Sequence, residues 1–369
     1  MLIGVVGGGQ LGRMLGLAGV AIGHRFRFLD PDAACPASAV GEVVAGAFDD
    51  PASVAAFARG LDRATFEFEN VPAATLGAIA EQAPLAPGVM SLRTAQDRIL
   101  EKEFFRAHGL RVQAFEAVDS EQMLAAACGR VGAPGVLKTR TMGYDGKGQA
   151  VVRSAADVPA AWEAVGRVPC IYEAFVPFTS EASVVAVRSA GGDVRAYPLC
   201  ANEHRGGILH RTVAPAPAVD AGTAREAERA TCRVLEALGH VGVLAIEFFV
   251  TPDGLVANEM APRVHNSGHW TIEGARTSQF ENHLRAVARM PLGDTAAVGV
   301  SVMRNLIGVV PAPSAALPAS VHLHLYGKQP RARRKLGHLT SVAQQESLAM
   351  SDADAAFAAL HAQPASARG

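Results

Sequence analysis

The sequence predicts an α/β unit followed by a mixed α+β body, and three observations carry that reading. Short apolar runs alternate with helical patterns over roughly the first 90 residues, which implies a parallel sheet with helices on both faces. After that the order becomes irregular, mixing strand-like runs with one long helical pattern. Finally, 369 residues, 49% of them apolar, suffice for two or three domains, each with its own core.

In chain order, the first unit reads as a strand at Leu2–Val6, a helix from Gln10, a strand at 26–29, a helix at 54–59 and a strand at 64–68. Pro84, Pro87 and Gly88 punctuate its end, and a helix is predicted from Thr94 with Asp97 completing a capping box, so the boundary falls near residue 95. The body from Val112 to about Met290 has apolar strands at 135–138, 182–187, 194–200 and 241–250 and a helix at 221–238. Beyond Gly293 come strands at 298–305 and 321–326, a basic segment and a helix at 352–361, with disorder expected over 363–369.

Charge narrows the partners. Lys plus Arg (34) nearly balances Asp plus Glu (35), so no bulk field draws the chain to nucleic acid or anionic lipid, and any phosphate must be met by local basic groups. Cys35, Cys128, Cys170, Cys200 and Cys232 are scattered and lack the close pairs of zinc or redox sites, which fits reduced thiols and a cytoplasmic protein. Residues 1–23 are apolar but carry Gln10 and Arg13 and lack a basic start, so a buried strand and helix are expected rather than a signal peptide. No stretch approaches about 20 uninterrupted apolar residues, so no membrane span is expected.

Gly7-Gly8-Gly9-Gln10-Leu11-Gly12 follows a strand, opens a helix and fits G-x-G-x-x-G, with Asp30 where a ribose-binding acid would sit. Taken alone this suggests a dinucleotide, and an NAD-dependent dehydrogenase is the rival reading, although backbone N–H groups at any such turn bind any anion. The second glycine cluster is more specific. Lys138 ends a strand and is followed by Gly143-Tyr144-Asp145-Gly146-Lys147-Gly148-Gln149, a loop that can cover a triphosphate with donors and still release it. The plain alternative, a β-hairpin with an Asp-Gly turn, explains the glycines but not the two placed lysines. Ile171-Tyr172-Glu173-Ala174-Phe175-Val176 reads as a strand end able to offer backbone groups to an adenine edge, with Glu181 near enough to accept ribose hydroxyls.

The most informative string runs from Glu247 to Glu259 around Pro252-Asp253-Gly254. A three-residue hairpin loop there sets Glu247 opposite Glu259. Like charges so placed destabilise a sheet unless a cation lies between them, and magnesium takes hard oxygen ligands, usually one or two carboxylates plus phosphate oxygens. Asn258 adds a polar contact; a register slipped by one would send one glutamate to the other face. Downstream, Arg263, His265, Asn266 and His269 give more polar groups than a plain loop needs, and Lys328, Arg331, Arg333, Arg334, Lys335 and His338 form a basic knot in a neutral chain.

As a set, these strings resemble the N5-carboxyaminoimidazole ribonucleotide synthase family: Gly-Gly-Gly-Gln-Leu-Gly-Arg-Met at 7–14, Phe-Glu-Phe-Glu-Asn-Val at 66–71, the glycine loop at 143–149, Asn-Glu-Met-Ala-Pro-Arg at 258–263 and His-Asn-Ser-Gly-His-Trp at 265–270. The resemblance implies an ATP-grasp fold: a Rossmann-like pre-ATP-grasp domain (1–95), an ATP-grasp domain (96–293) with a mobile lid at about 112–177, and a small C-terminal domain (294–369), assembled as a homodimer. It implies ATP contacts from Arg98, Lys138, residues 143–149, Glu173, Ala174, Phe175, Val176, Glu181, His204, Asn258 and Glu259, and magnesium, with manganese an admissible substitute, on Glu247 and Glu259. Arg263, His265, Asn266 and Lys147 would serve catalysis; Gln10, Leu11, Glu67, Glu69, Lys328, Arg331 and Arg334 would bind aminoimidazole ribonucleotide, with bicarbonate as the third substrate. A formate-using transformylase of the same fold is the rival within the enzyme class, and the 265–270 string argues against it. Two positions depart from the family. Ala332-Arg333 replaces a Pro-Gly turn, and Met142 stands where glycine is common, which puts the local backbone geometry in question.

Overall fold

The computed structural model describes residues 1–143, 146–308 and 317–362. Its first sheet is fully parallel: β1 (Leu2–Val6), β2 (Arg25–Asp30), β3 (Glu42–Ala45) and β4 (Arg63–Phe66) in the order β3-β2-β1-β4. Successive residues of β1 serve opposite faces. Val5 packs with Leu11, Met14 and Leu15 of the helix Gln10–Ala21, whereas Val6 packs with Phe57, Leu76 and Ile79. Residues that follow the carboxyl ends of β1 and β4, at 7–12 and 67–69, therefore meet at one rim of the sheet, where such folds place ligands.

No single helix starts at Thr94. One helix runs Val89–Gln96, Asp97 interrupts it in an extended conformation, and a second runs Arg98–Ala107. Asp97 is the N-cap of the second, accepting from the amides of Ile99 (2.9 Å) and Leu100 (3.3 Å).

The body holds two sheets. β5 (Phe115–Val118), β6 (Gly135–Thr139), β7 (Gln149–Val152) and β8 (Cys170–Ala174) form an antiparallel sheet ordered β5-β8-β6-β7, covered by the helices Glu121–Val131 and Val158–Ala164 through Leu124, Ala127 and Trp162. The central sheet has nine strands: β9 (Ser180–Arg188), β10 (Val194–Ala196), β11 (Cys200–Arg205), β12 (Ile208–Ala214), β13 (Gly242–Thr251), β14 (Gly254–Ala261), β15 (Val300–Ile307), β16 (Val321–Leu325) and β17 (Lys335–Ala343). Their order is β14-β13-β9-β11-β12-β15-β17-β16, with β10 also on β9. The strand expected at 194–200 is thus two strands. Pro198 has no N–H to give a ladder, so the chain leaves β9 after Tyr197, whose amide still donates to Val185 O at 2.8 Å, and returns at Cys200.

The strands beyond Gly293 do not build a sheet of their own. β15 pairs with β12 in the register Arg211↔Arg304, so the central sheet runs on through them. The last helix, Glu346–Ala362, begins six residues before the predicted start and lays Ala349, Ala353, Ala356 and Leu360 on Val302, Leu306 and Leu339. The tail 363–369 lies outside the described residues, among which no helix is long and apolar enough to cross a membrane.

Candidate active site

Glu247 and Glu259 are direct cross-strand partners, as the sequence predicts, but by a different route. The turn holds two residues, Pro252 and Asp253, with Thr251 paired to Gly254; an extra residue at Asn258 then shifts the register between Phe248↔Ala257 and Glu247↔Glu259. This β-bulge is pinned from below. Lys102, fully buried, donates to the carbonyls of Ala257 (3.3 Å) and Asn258 and lies 3.3 Å from the Glu173 carboxylate. Lys138 meets the other oxygen of Glu173 at 2.6 Å and donates to Asn258 Oδ1 at 3.4 Å. Glu173 thus has its side chain committed to two lysines; burial resists its ionisation, yet Lys102 and Lys138 hold its pKa down to about 2.

The two facing carboxylates are pushed apart electrostatically. Burial, followed by the charge of Glu259, raises the pKa of Glu247 to about 7. Glu259 is only half-buried; desolvation opposes its ionisation too, but Arg98 donates to it at 2.7 Å and, with Lys138, brings it down to about 2. Two opposed carboxylates, one of them resisting ionisation for want of compensating charge, suit a hard divalent cation. Among the described residues no group of three or more His, Cys, Asp and Glu is arranged to hold a metal alone.

One face of the central sheet supplies the neighbourhood. Register places Cys200, Ser183, Glu247 and Glu259 along one rung and Thr212, Asn202 and Glu181 along the next. His204 Nδ1 bonds Glu181 Oε2 at 2.9 Å, and although burial opposes charging the ring, Glu181 and Glu247 raise its pKa. Across the cleft, Ala174 and Phe175 donate their amides to Ala114 O (2.9 Å) and Pro134 O (3.1 Å), which narrows the amide expected to meet an adenine edge to Val176. Phe178 stacks on Phe249 with ring centroids 4.7 Å apart, an apolar wall that the sequence reading did not single out. In the glycine loop, Gly146 and Gly148 take φ of 75° and 68°, and Gly148 O accepts from Thr139 N at 2.7 Å. Lys147, Gly143 and Gln149 line the cleft; Tyr144 and Asp145 lie outside the described residues.

At the opposite end, the N-terminal glycine loop is already occupied. Gly9 N and Gly12 N donate to the two oxygens of Glu67, at 2.8 and 3.3 Å, so the anion cradle that a dinucleotide needs is filled by the chain's own carboxylate. Asp30 accepts from Gly8 N at 2.8 Å and holds the loop itself. The dinucleotide reading of this motif therefore fails. Glu67 and Glu69 divide the work, Glu69 pairing with the Arg263 guanidinium. Lys328 donates to Gln10 Oε1, while Leu11 is largely packed into the core with only its edge on the cleft.

The basic turn keeps its shape without Pro-Gly. Arg334 N donates to Arg331 O at 3.0 Å, and Arg333 sits at φ 62°, the left-handed conformation that glycine adopts at little cost. Met142 does the same at φ 65°. Asn266 closes a reciprocal amide pair with Asn305 (3.1 and 2.8 Å), committing both ends of its side chain. His265 Nε2 lies 3.6 Å from Glu247 Oε1; burial and Arg263 depress its pKa to about 3. Glu247, Glu259, His265, Arg263, Lys147, Gln10, Lys328, Arg331 and Arg334 all border one cleft of about 1090 Å³, more than the ~300–1,000 Å³ usual for a single small ligand.

Comparison with known proteins agrees with this geometry. Residues 1–96 match the ribonucleotide synthetase preATP-grasp domain, 103–280 the ATP-grasp domain and 301–351 the phosphoribosylaminoimidazole carboxylase C-terminal domain. Fold and site together define an ATP-grasp ligase. The N5-carboxyaminoimidazole ribonucleotide synthase of Pseudomonas aeruginosa is 52% identical over 345 residues, covering 92% of this chain and 94% of the relative. The crystal structure of the synthetase from Thermus thermophilus superposes with TM-score 0.91 at 46% identity, over 100% of this chain and 99% of that one. That of the Aspergillus clavatus synthase in complex with ADP and 5-aminoimidazole ribonucleotide gives 0.89 at 28% identity, over 98% and 99%. The chain belongs to the N5-carboxyaminoimidazole ribonucleotide synthase family.

Proposed function

We propose that the chain carboxylates the 5-amino group of 5-aminoimidazole ribonucleotide, using ATP and bicarbonate. The observation that carries this is the single cleft joining two unlike ends: the Glu247–Glu259 pair under the lysine-bearing loop, and the Gln10–Lys328 contact beside Arg331 and Arg334. An ATP-only enzyme has no need of the second end.

In this reading Lys138, Arg98 and Lys147 meet the ATP phosphates, Val176 meets adenine and Glu181 with His204 meets the ribose. Glu247 and Glu259, with Asn258 beside them, would hold magnesium or manganese, which when bound polarises the γ-phosphate and offsets the charge between the two carboxylates. A bicarbonate oxygen attacks the γ-phosphorus and ADP departs, leaving carboxyphosphate next to Arg263. The amine nitrogen then attacks its carbon, the C–O bond to phosphate breaks, and the amine proton passes to the departing phosphate. Water is kept out by closure of the lid, which protects the intermediate. Glu67 and Glu69 act indirectly, one shaping the glycine loop and the other orienting Arg263. A formate-using transformylase gains no support from the relatives. The working division remains 1–95, 96–293 and 294–369, with a homodimer in the cytoplasm.

The test is phosphate release from ATP and bicarbonate, with and without 5-aminoimidazole ribonucleotide, in the native protein and in Glu259→Gln. Release should require the ribonucleotide and fall ~10²-fold in the variant, which loses one charge where charge develops. Release independent of the ribonucleotide, with no carboxylated product, overturns the reading.

A further inference from the structure

Behind His265, on the side away from Glu247, a chain of buried hydrogen bonds crosses the central sheet. Thr212 Oγ1 donates to Asn202 Oδ1 at 2.9 Å, which turns the amide so that Asn202 Nδ2 donates to Ser183 Oγ at 2.8 Å. Ser183 Oγ in turn donates to Ser267 Oγ at 2.7 Å, and Ser267 Oγ lies 2.8 Å from His265 Nδ1. Ser183, Ser267 and Thr212 are fully buried, so none of these groups has water as an alternative partner.

The direction of the chain is decided at its His265 end. A backbone amide can only donate, and Ser267 N points at His265 Nδ1 from 3.3 Å, so Nδ1 is an acceptor. With Ser183 already donating to Ser267 Oγ, the hydroxyl proton of Ser267 is left to point at Nδ1 as well. A neutral imidazole with its Nδ1 accepting carries its proton on Nε2, the nitrogen 3.6 Å from Glu247 Oε1.

We propose that Ser183 and Ser267 are positioning residues that lock His265 in the tautomer protonated at Nε2, so that its cleft-side nitrogen donates a hydrogen bond. This deepens the carboxylase reading and rests on it for its consequence: a donor at that place steadies a bicarbonate or carboxyphosphate oxygen, and the amine proton must leave by another route. None of the sequence strings marks Ser183 or Asn202. They enter the site only because strand register puts Ser183 in the rung of Glu247 and Asn202 in the next rung on that face.

The experiment is nitrogen-15 NMR of histidine-labelled protein without nucleotide or metal, with the His265 signals assigned by their loss in His265→Gln. The native protein should show one tautomer, protonated at Nε2. Ser183→Ala touches no atom in contact with His265, yet it frees the Ser267 hydroxyl to accept and leaves only the longer 3.3 Å donation from Ser267 N to favour the native tautomer, so a second tautomer should appear beside it; Ser267→Ala, which removes the 2.8 Å hydroxyl contact directly, should do the same and serves if the first variant fails to fold. In turnover, each should lower kcat about ten-fold, the lower bound for lost support of a site group, with KM for ATP changed less than about two-fold. Because both remove one relay, the double variant should be no worse than either single. A native spectrum protonated at Nδ1, variants that keep the native tautomer, or additive losses in the double variant each overturn the proposal. Since the spectrum needs no substrate, it reads the relay separately from whether the chain is a carboxylase.

Discussion

Glu247 and Glu259 stand directly opposite each other on neighbouring antiparallel strands, and their surroundings drive their protonation in opposite directions, up to about 7 for the first and down to about 2 for the second. Arg98 accounts for much of the asymmetry: of the two carboxylates it is hydrogen-bonded to Glu259 alone. Without a cation, the folded protein therefore holds a proton on Glu247 at pH values where the unfolded chain, near its ordinary 4.5, has lost it.

The sign follows from proton linkage. Between about pH 4.5 and 7 the folded state binds more protons than the unfolded state at this site, so stability declines as pH rises through that window. Glu247→Gln removes the titration. In the presence of a chelator the variant should melt close to the native protein at pH 5 and above it at pH 8, by on the order of 2–3 kcal/mol in stability. Melting curves that keep the same separation at both pH values contradict the assignment.

Much of this site is legible in the sequence because it depends on local spacing. The glycine loops, the lysine at the end of β6 and the strand–turn–strand around Pro252 all announce themselves within a dozen residues. Even so, the Glu247–Glu259 pairing comes out right while the loop length does not, since a two-residue turn plus a bulge at Asn258 gives the same partners as a three-residue turn. Bulges leave no pattern in composition; here the stabilising group is Lys102, a charge buried inside an amphipathic helix far along the chain. Glu101, its neighbour, is buried as well, accepts from Met260 N, and is raised by that burial to about 8. Long-range polar contacts of this sort are set by tertiary packing and have no period to read. Asp97 shows the reverse case, a residue recognised correctly as an N-terminal helix signal but placed three positions inside a helix from Thr94, whereas it is itself the N-cap of the helix that starts at Arg98.

The second end of the cleft gives a selective prediction. Lys328 and Gln10 are 318 positions apart in sequence and in hydrogen-bond contact, which ties the basic segment to the N-terminal sheet. Lys328→Ala should raise KM for 5-aminoimidazole ribonucleotide at least ten-fold, the loss expected for one charge-assisted phosphate contact, and leave KM for ATP nearly unchanged. Steady-state kinetics with each substrate varied in turn decides it. An equal effect on ATP assigns the segment to the wrong ligand.

Arg333 offers a test of backbone strain. At φ 62° it occupies a left-handed conformation that costs a residue with a side chain about 1 kcal/mol and costs glycine little. Arg333→Gly should keep the Arg331–Arg334 turn and raise the melting temperature by roughly 2 °C, although the donation of Arg333 to Gly206 O is lost. A clear fall in melting temperature means that this contact outweighs the strain.

The central claim is that bicarbonate attacks the γ-phosphorus of ATP in this cleft and that its carbon goes on to the amine. Supplying bicarbonate labelled with oxygen-18 and carbon-13, together with ATP and 5-aminoimidazole ribonucleotide, tests both halves in one reaction. The account predicts that inorganic phosphate leaves with one labelled oxygen per turnover and that the labelled carbon appears on the 5-amino nitrogen of the product, in equal amounts. Phosphate whose new oxygen comes from water, or a product without the labelled carbon, contradicts it.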